Sequence, residues 1–334
     1  MDGASVSEHR IRAGVTALGA YAPPNIVTNQ DLERMMDTSD EWITSRTGIK
    51  RRHVAAEDEF TSDLAYRAVE DLVARHGDAA LEGVDMVIVA TNTPDALFPA
   101  TAAMVQDRFQ LKAAAFDLLA ACPGWLYSLG IAKSLVESGQ NRRVLAIGSE
   151  ALTKIVDWND RATAVLFGDG AGAVVVEAVP EEFGIRSMVL GADGSGAGQL
   201  HKRSVGRCLP NGEPLAETLY MNGREVFKFA VRVMNTSTIE AVEKAGLHTD
   251  DISLFVPHQA NLRIIEAARE RLGLDRDRVV VTVDEYGNNS TASIPLALRH
   301  AVDQGRVHAG DHLLLVSFGA GLTWAASVLT WGPA

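Results

Sequence analysis

One offset relates two distant stretches of this chain. Set Val84–Asn92 against Asp250–His258, and a shift of 166 residues carries Asp85 onto Asp251 and Asn92 onto His258. The same shift carries Cys122 onto Asn288, and Gly139, which closes one helical pattern, onto Gly305, which closes another. Further on the offset shortens to 151, and Phe167-Gly168-Asp169-Gly170 falls on Phe318-Gly319-Ala320-Gly321. Few residues are identical, so what repeats is the order of apolar runs and turns. That is the mark of one βα unit present twice. We therefore expect an α/β fold of two duplicated halves, residues 1–180 and 181–334.

Duplication has a consequence for chemistry. Equivalent strand ends of two paired halves face one crevice, which is where open α/β sheets bind ligands. Cys122 follows the apolar run Phe116–Ala121, His258 follows Leu254–Pro257, and Asn288 follows Val279–Val283 and a Tyr-Gly turn. After Cys122 comes Pro123-Gly124, then apolar residues at helical spacing (Leu126, Leu129, Ile131, Leu135, Val136). The sequence thus places the thiol at a strand-to-helix turn, where the helix dipole and free N–H groups are expected to lower its pKa. A small buried hydrophobe is the plain alternative for a lone cysteine. A Cys-His-Asn set instead suits acyl-enzyme chemistry, a thiolate nucleophile with two polar groups to hold an oxyanion.

Composition closes off other classes. The formal charge of −12 argues against nucleic acid or an anionic membrane as the main partner. Two cysteines, Cys122 and Cys208, make no disulfide framework and no zinc spacing. No apolar run approaches the roughly 20 residues of a membrane span, and no signal core opens the chain. A cytoplasmic location is expected. Gly168-Asp169-Gly170-Ala171-Gly172 opens no helix, so these glycines read as close backbone approaches rather than a dinucleotide fingerprint.

Three surface features remain. Trp42 lies near Arg46, Lys50, Arg51 and Arg52, either packing a core edge or forming a platform for a nucleotide base. The loop Thr93–Pro99 carries an apolar tip at Leu97-Phe98, either its own subunit's core or an insertion into a partner. Arg224, Lys228 and Arg232 recur at i, i+4 and i+8 of a helical pattern. On so acidic a chain, that face is a solvated surface or a dock for an acidic partner.

Asp40-Glu41-Trp42-Ile43 with Arg46-Thr47-Gly48-Ile49, Ala121-Cys122, Asp160-Arg161-Ala162-Thr163 with Phe167–Gly172, Val256–Asn261 and Tyr286-Gly287-Asn288 occur in one order. Together they resemble the β-ketoacyl-[acyl-carrier-protein] synthase III family over about Ile11 to Trp331. The resemblance implies a thiolase-like fold in αβαβα layers and the initiating condensation of fatty-acid synthesis. It implies that Cys122 takes an acyl group from an acyl-coenzyme A primer, acetyl-coenzyme A being the first choice. His258 and Asn288 would then stabilise the enolate of malonyl-acyl-carrier protein. Backbone N–H groups of Cys122 and Ala320 would form an oxyanion hole.

The resemblance further implies that Trp42, Arg46 and Arg161 bind coenzyme A, and that Phe98 and Trp125 line the acyl pocket. Phe98 would reach across a homodimer. The partner at Arg224, Lys228, Arg232 and Arg263 would be acyl carrier protein, with Arg271 extending the patch. Coenzyme A enters as substrate, and no metal or other cofactor is implied. Pro123 and Trp125 depart from the small residue and phenylalanine usual in the family, and Ala320 replaces a common glycine, which leaves the primer open. Competing readings are a papain-like cysteine hydrolase, a silent partner of another synthase, and acyl transfer to a non-carrier acceptor. Against the hydrolase stand the tandem α/β pattern and the missing glutamine motif before the cysteine.

Overall fold

The computed structural model describes residues 11–332. The first half begins with β1 (Arg12–Tyr21), the short pair β2 (Ile26–Thr28) and β3 (Arg51–His53), and between them α1 (Asn29–Glu33) and α2 (Asp40–Thr47). Helix α3 (Thr61–His76), β4 (Met86–Ala90), α4 (Thr101–Arg108), β5 (Ala114–Leu118), α5 (Gly124–Glu137), β6 (Arg143–Glu150) and β7 (Gly170–Val179) follow. These strands form a sheet in the order β1-β7-β6-β4-β5. Strand β4 runs parallel to β5 and β6, while β7 is antiparallel to β1 and β6.

The rest of the chain retraces that path. It adds β8 (Gly184–Ala192), the small pair β9 (Leu200–His201) and β10 (Tyr220–Met221), α6 (Gly223–Lys244), β11 (Leu254–Pro257), α7 (Leu262–Leu272), α8 (Val283–Tyr286), α9 (Ser293–Asp303), β12 (His312–Gly319) and β13 (Thr323–Thr330). Its sheet reads β8-β13-β12-β11, the counterpart of β1-β7-β6-β4. A fifth strand is missing where the sequence led us to expect one. Val279 makes a single parallel bridge to Phe255, and the run then leaves the sheet. The cause is Gln259, whose side-chain oxygen accepts the N–H groups of Thr282 (2.7 Å) and Val283 (3.1 Å), where α8 starts. Asn288 therefore follows a helical turn, not a strand end.

Burial explains the layering. Helix α5 packs on β1, β4, β6 and β7 of the first sheet and on β8 and β13 of the second. Helix α9 packs likewise on β7, β1 and β11, so both lie between the sheets. One core unites them: Leu126, Leu129, Ile294 and Leu298 of the helices with Ala146, Val174, Val256 and Leu315 of the strands. Helices α3 and α4 cover the first sheet's outer face, and α6 and α7 the second's, which completes the αβαβα stack. A helix apolar on nearly every face belongs in such a middle layer. Strand β5 is the exception to burial. It lies at the sheet edge with Phe116 exposed, and Leu119 just beyond it is 77% exposed. Among the described residues, no helix is long and apolar enough to cross a membrane.

Candidate active site

Cys122 is aimed by its flanks. Ala121 takes φ +52°, a left-handed conformation costly for a residue with a side chain. The turn closes with Gly124 N–H donating to the Ala121 carbonyl (2.9 Å), and α5 begins at once with Pro123 as its cap. Gly319, the last residue of β12, lies against this turn so closely that a Cβ there would stand 2.7 Å from the Cys122 nitrogen. Only glycine lets the two backbones meet at that distance. The far sheet thus delivers its glycine turn to the Cys122 turn. Ala320, next in chain, is held by Thr323, whose hydroxyl donates to the Ala320 carbonyl (2.8 Å) and the Ala120 carbonyl (3.0 Å).

His258 follows β11 directly and is fully buried, its ring edge-on to Phe318 with centroids 5.5 Å apart. Burial pushes its pKa down to about 3, so the imidazole stays neutral. Ser293 Oγ lies 2.5 Å from Nδ1 and also receives the Gln259 N–H (3.4 Å). Donation of that hydroxyl's proton to Nδ1 leaves the proton of His258 on Nε2. Nε2 is buried and meets no partner among the described residues. It is a donor kept ready.

Asn288 is fixed from both sides. Its backbone bridges Phe167 through Asn288 N–H to Leu166 carbonyl (2.9 Å) and Gly168 N–H to Asn288 carbonyl (3.1 Å). Its Oδ1 accepts the Ser290 N–H (2.9 Å), which leaves Nδ2 as the donor end of the carboxamide. Ser290, with φ +47°, sets its hydroxyl against the Cys122 thiol. Cysteine, histidine and asparagine thus meet through Ser290 on one side and Phe318-Gly319 on the other.

The thiol corrects one sequence expectation. Cys122 is half-buried, and loss of water around its sulfur pushes the thiol up to about 12. The Ser290 hydroxyl pulls against that rise, and the nearby Glu150 carboxylate adds to it. Helix placement does not by itself make a thiolate where burial and a carboxylate oppose it. Sequence reasoning passed over Ser290, Ser293 and Glu150. The signal for Glu150 was present: an acid ends the buried strand Val144–Ser149.

Two other groups come together, with exclusions, and a third, Phe98 with Trp125, does not within this chain. The Arg46 and Arg161 guanidinium carbons each lie 4.9 Å from the Trp42 ring centroid. Arg51, by contrast, donates to Glu285 (2.7 Å), and Lys50 lies 3.8 Å from Asp284. Arg52 is fully buried, donating to Asn29 Oδ1 (3.0 Å) and the Val165 carbonyl (2.8 Å). These three leave the tryptophan platform. Arg224, Lys228 and Arg232 on α6 and Arg263 on α7 are all exposed on packed neighbouring helices. Lys228 is already paired with Glu225 at 2.7 Å. Phe98 is 84% exposed, which removes the reading in which it fills its own core. Trp125 is buried between the sheets with its Nε1 unpartnered among the described residues.

A cysteine at a tight strand-to-helix turn, linked through its neighbours to a buried neutral imidazole and a fixed asparagine on a duplicated αβαβα frame, belongs to thiolase-like acyltransferases that condense acyl groups. Comparison with known proteins narrows the class. The family model for 3-oxoacyl-[acyl-carrier-protein] synthase III matches residues 116–194, and the model for its C-terminal part matches 242–331. The β-ketoacyl-[acyl-carrier-protein] synthase III of Deinococcus deserti is 52% identical, covering 97% of this chain and 93% of its own. The solved synthase III of Thermus thermophilus is 70% identical with TM-score 0.95, covering 96% of this chain and all of its own. That of Pseudomonas aeruginosa is 41% identical with TM-score 0.89, covering 96% and 99%. The chain belongs to the β-ketoacyl-[acyl-carrier-protein] synthase III family, and it is a condensing acyltransferase.

Proposed function

We propose that Cys122, His258 and Asn288 carry out the two halves of the initiating condensation of fatty-acid synthesis. In the first, the Cys122 sulfur attacks an acyl-coenzyme A thioester carbonyl. The bond to the coenzyme A sulfur breaks, and acyl-Cys122 and coenzyme A result. The N–H groups of Cys122 and Ala320 receive the tetrahedral oxyanion, a role supported by the contact between Gly319 and the Cys122 turn. In the second, malonyl-acyl-carrier protein loses carbon dioxide while Nε2–H of His258 and Nδ2–H of Asn288 stabilise the enolate oxygen. The carbanion attacks the acyl-cysteine and expels the Cys122 thiolate, which takes up a proton from solvent, and 3-ketoacyl-acyl-carrier protein results. Both steps balance without electron transfer.

The observation that carries this reading is that Ser290 touches both Cys122 and Asn288, while Phe318-Gly319 touches both His258 and the Cys122 turn. Coenzyme A would enter over Trp42, its adenine taking the place between the ring and the Arg46 and Arg161 guanidinium groups. The carrier would dock on Arg224, Lys228, Arg232 and Arg263. The exposed β5 edge with Phe116 and Leu119 supports a homodimer, in which Phe98 and Trp125 bound the acyl pocket. The two halves would divide near residue 180, the primer would be acetyl-coenzyme A, and the enzyme would work in the cytoplasm. Incubation of the purified protein with malonyl-acyl-carrier protein and a panel of acyl-coenzyme A thioesters tests it. A 3-ketoacyl product is expected, and decarboxylation without product would overturn the condensation.

A further inference from the structure

Glu150 ends β6 with no exposure to solvent, yet it faces no cation in the pocket. Its carboxylate instead collects donors. Asn92 N–H (3.1 Å) and the Thr93 hydroxyl (3.0 Å) reach Oε2, and the Asn92 carboxamide reaches Oε1. Because the Asn92 carboxamide reaches both Glu150 Oε1 and Ser290 Oγ, the Ser290 hydroxyl sits beside the carboxylate, and the same hydroxyl lies against the Cys122 thiol. Asn92 Nδ2 also donates to Ser290 Oγ (3.1 Å). A hydroxyl has one proton to give and two lone pairs to receive. Ser290 can therefore accept from Asn92 and from the thiol while donating to Glu150.

We infer that Glu150, acting through the Ser290 hydroxyl, takes the proton that Cys122 gives up during acylation. The S–H proton passes to Ser290 Oγ as the sulfur bonds to the acyl carbon, and the Ser290 proton passes to Glu150. The departing coenzyme A thiolate is protonated by the reverse path, so the carboxylate is restored. His258 is the other base in the pocket, and burial holds it at about 3, a far poorer acceptor. Burial raises Glu150 to about 7 against the pull of Asn92, Thr93 and Ser290. Cys122 is the titratable group that faces it. Asn92, Thr93 and Ser290 are uncharged, and Asp169, beside its strand partner Gly170, turns instead to Thr153 and the Ala55 N–H. Below about 7 the acceptor is already protonated, so acylation should slow as pH falls through that value.

The inference rests on Cys122 being the acylated group, and single-turnover labelling with radiolabelled acyl-coenzyme A across pH separates the two. A wild type that takes no label on Cys122 overturns the proposed function itself. A wild type that labels with no change of rate through about pH 7 overturns the relay alone. With the limb present, Glu150→Gln should remove it and slow labelling by about 10²–10⁴-fold, the range of general acid–base catalysis. Ser290→Ala should slow it comparably, and it carries the test should Glu150→Gln fail to fold. Decarboxylation of malonyl-acyl-carrier protein should change far less in both variants. Equal loss in the two half-reactions would mark a structural role. Faster labelling of Glu150→Gln at low pH would mark mere charge repulsion of the thiolate. Either result overturns the relay.

Discussion

Ser293 Oγ stands 2.5 Å from Nδ1 of His258, and that contact decides which imidazole nitrogen carries the proton. With Nδ1 accepting, Nε2–H becomes the donor for a developing enolate. Ser293→Ala frees Nδ1 and lets the other tautomer compete. We expect slower malonyl decarboxylation, by less than the ~10²–10³-fold cost of deleting an oxyanion donor outright. Labelling of Cys122 by acyl-coenzyme A should stay near wild type. A decarboxylation rate unchanged in Ser293→Ala would show that the serine does not set the tautomer.

Trp42 between Arg46 and Arg161 predicts a binding defect. Each exposed cation–π contact is worth about 0.5–1 kcal/mol, and an adenine stacked there would replace one or both. Trp42→Ala and Arg161→Ala should each raise KM for acyl-coenzyme A several-fold and leave KM for malonyl-acyl-carrier protein unchanged. Steady-state kinetics with each substrate varied in turn will check this. A shift in the carrier KM alone would move the platform's role elsewhere.

The basic face predicts the opposite split. Because Lys228 is paired with Glu225, Arg224 and Arg263 are the more informative positions. Arg224→Glu with Arg263→Glu should raise KM for malonyl-acyl-carrier protein. The defect should be largest at low salt, since exposed charges are screened over about 10 Å at 0.1 M. Acylation by acyl-coenzyme A should be unaffected, and a loss there too would exclude a dedicated carrier dock.

Leu97 and Phe98, 69% and 84% exposed, predict a partner surface. Analytical ultracentrifugation at micromolar protein should show a dimer, and Phe98→Ala should shift primer preference towards longer acyl chains. A monomer would remove the shared pocket.

Much of this site could be read from the chain before any coordinate, and the reasons are physical. Cys122 and His258 close apolar runs that do become β5 with its turn and β11, so a strand-length apolar run leads to them. Asn288 was found by offset, although its segment is no strand; the side chain of Gln259 captures the N–H groups that a strand would have used. Leu97 and Phe98 announced themselves as an apolar tip, whereas Leu119, read as part of an apolar run, proved exposed. What stayed hidden acts through contacts that no periodicity encodes. Ser290 matters because its φ of +47° turns one hydroxyl between Cys122 and Glu150. Arg52 looked like a member of the surface cluster around Trp42, and lies instead in the core under Gly168 and Gly287.

His258 and Asn288 should govern decarboxylation more than acylation, and pH gives the sharper test of how. The neutral imidazole is held by burial, with its pKa near 3 rather than the ordinary 6.5. Between those two values the unfolded chain binds a proton there that the native protein does not. The contribution of this residue to stability is therefore complete above 6.5 and fades as pH falls towards 3. While the protein stays folded, the Nε2–H donor is the same species on both sides of 6.5. Decarboxylation of malonyl-acyl-carrier protein should consequently be flat through 6.5, whereas acylation should not be flat through about 7 if Glu150 serves it. His258→Ala and Asn288→Ala should each lower decarboxylation by about 10²–10³-fold. Both should still form acyl-Cys122, since the proposed backbone N–H groups for its oxyanion are touched by neither substitution. A decarboxylation rate that climbs as pH falls through 6.5 would mean that the imidazole works as a cation. The neutral-donor role would then be wrong, whatever the two alanine variants do.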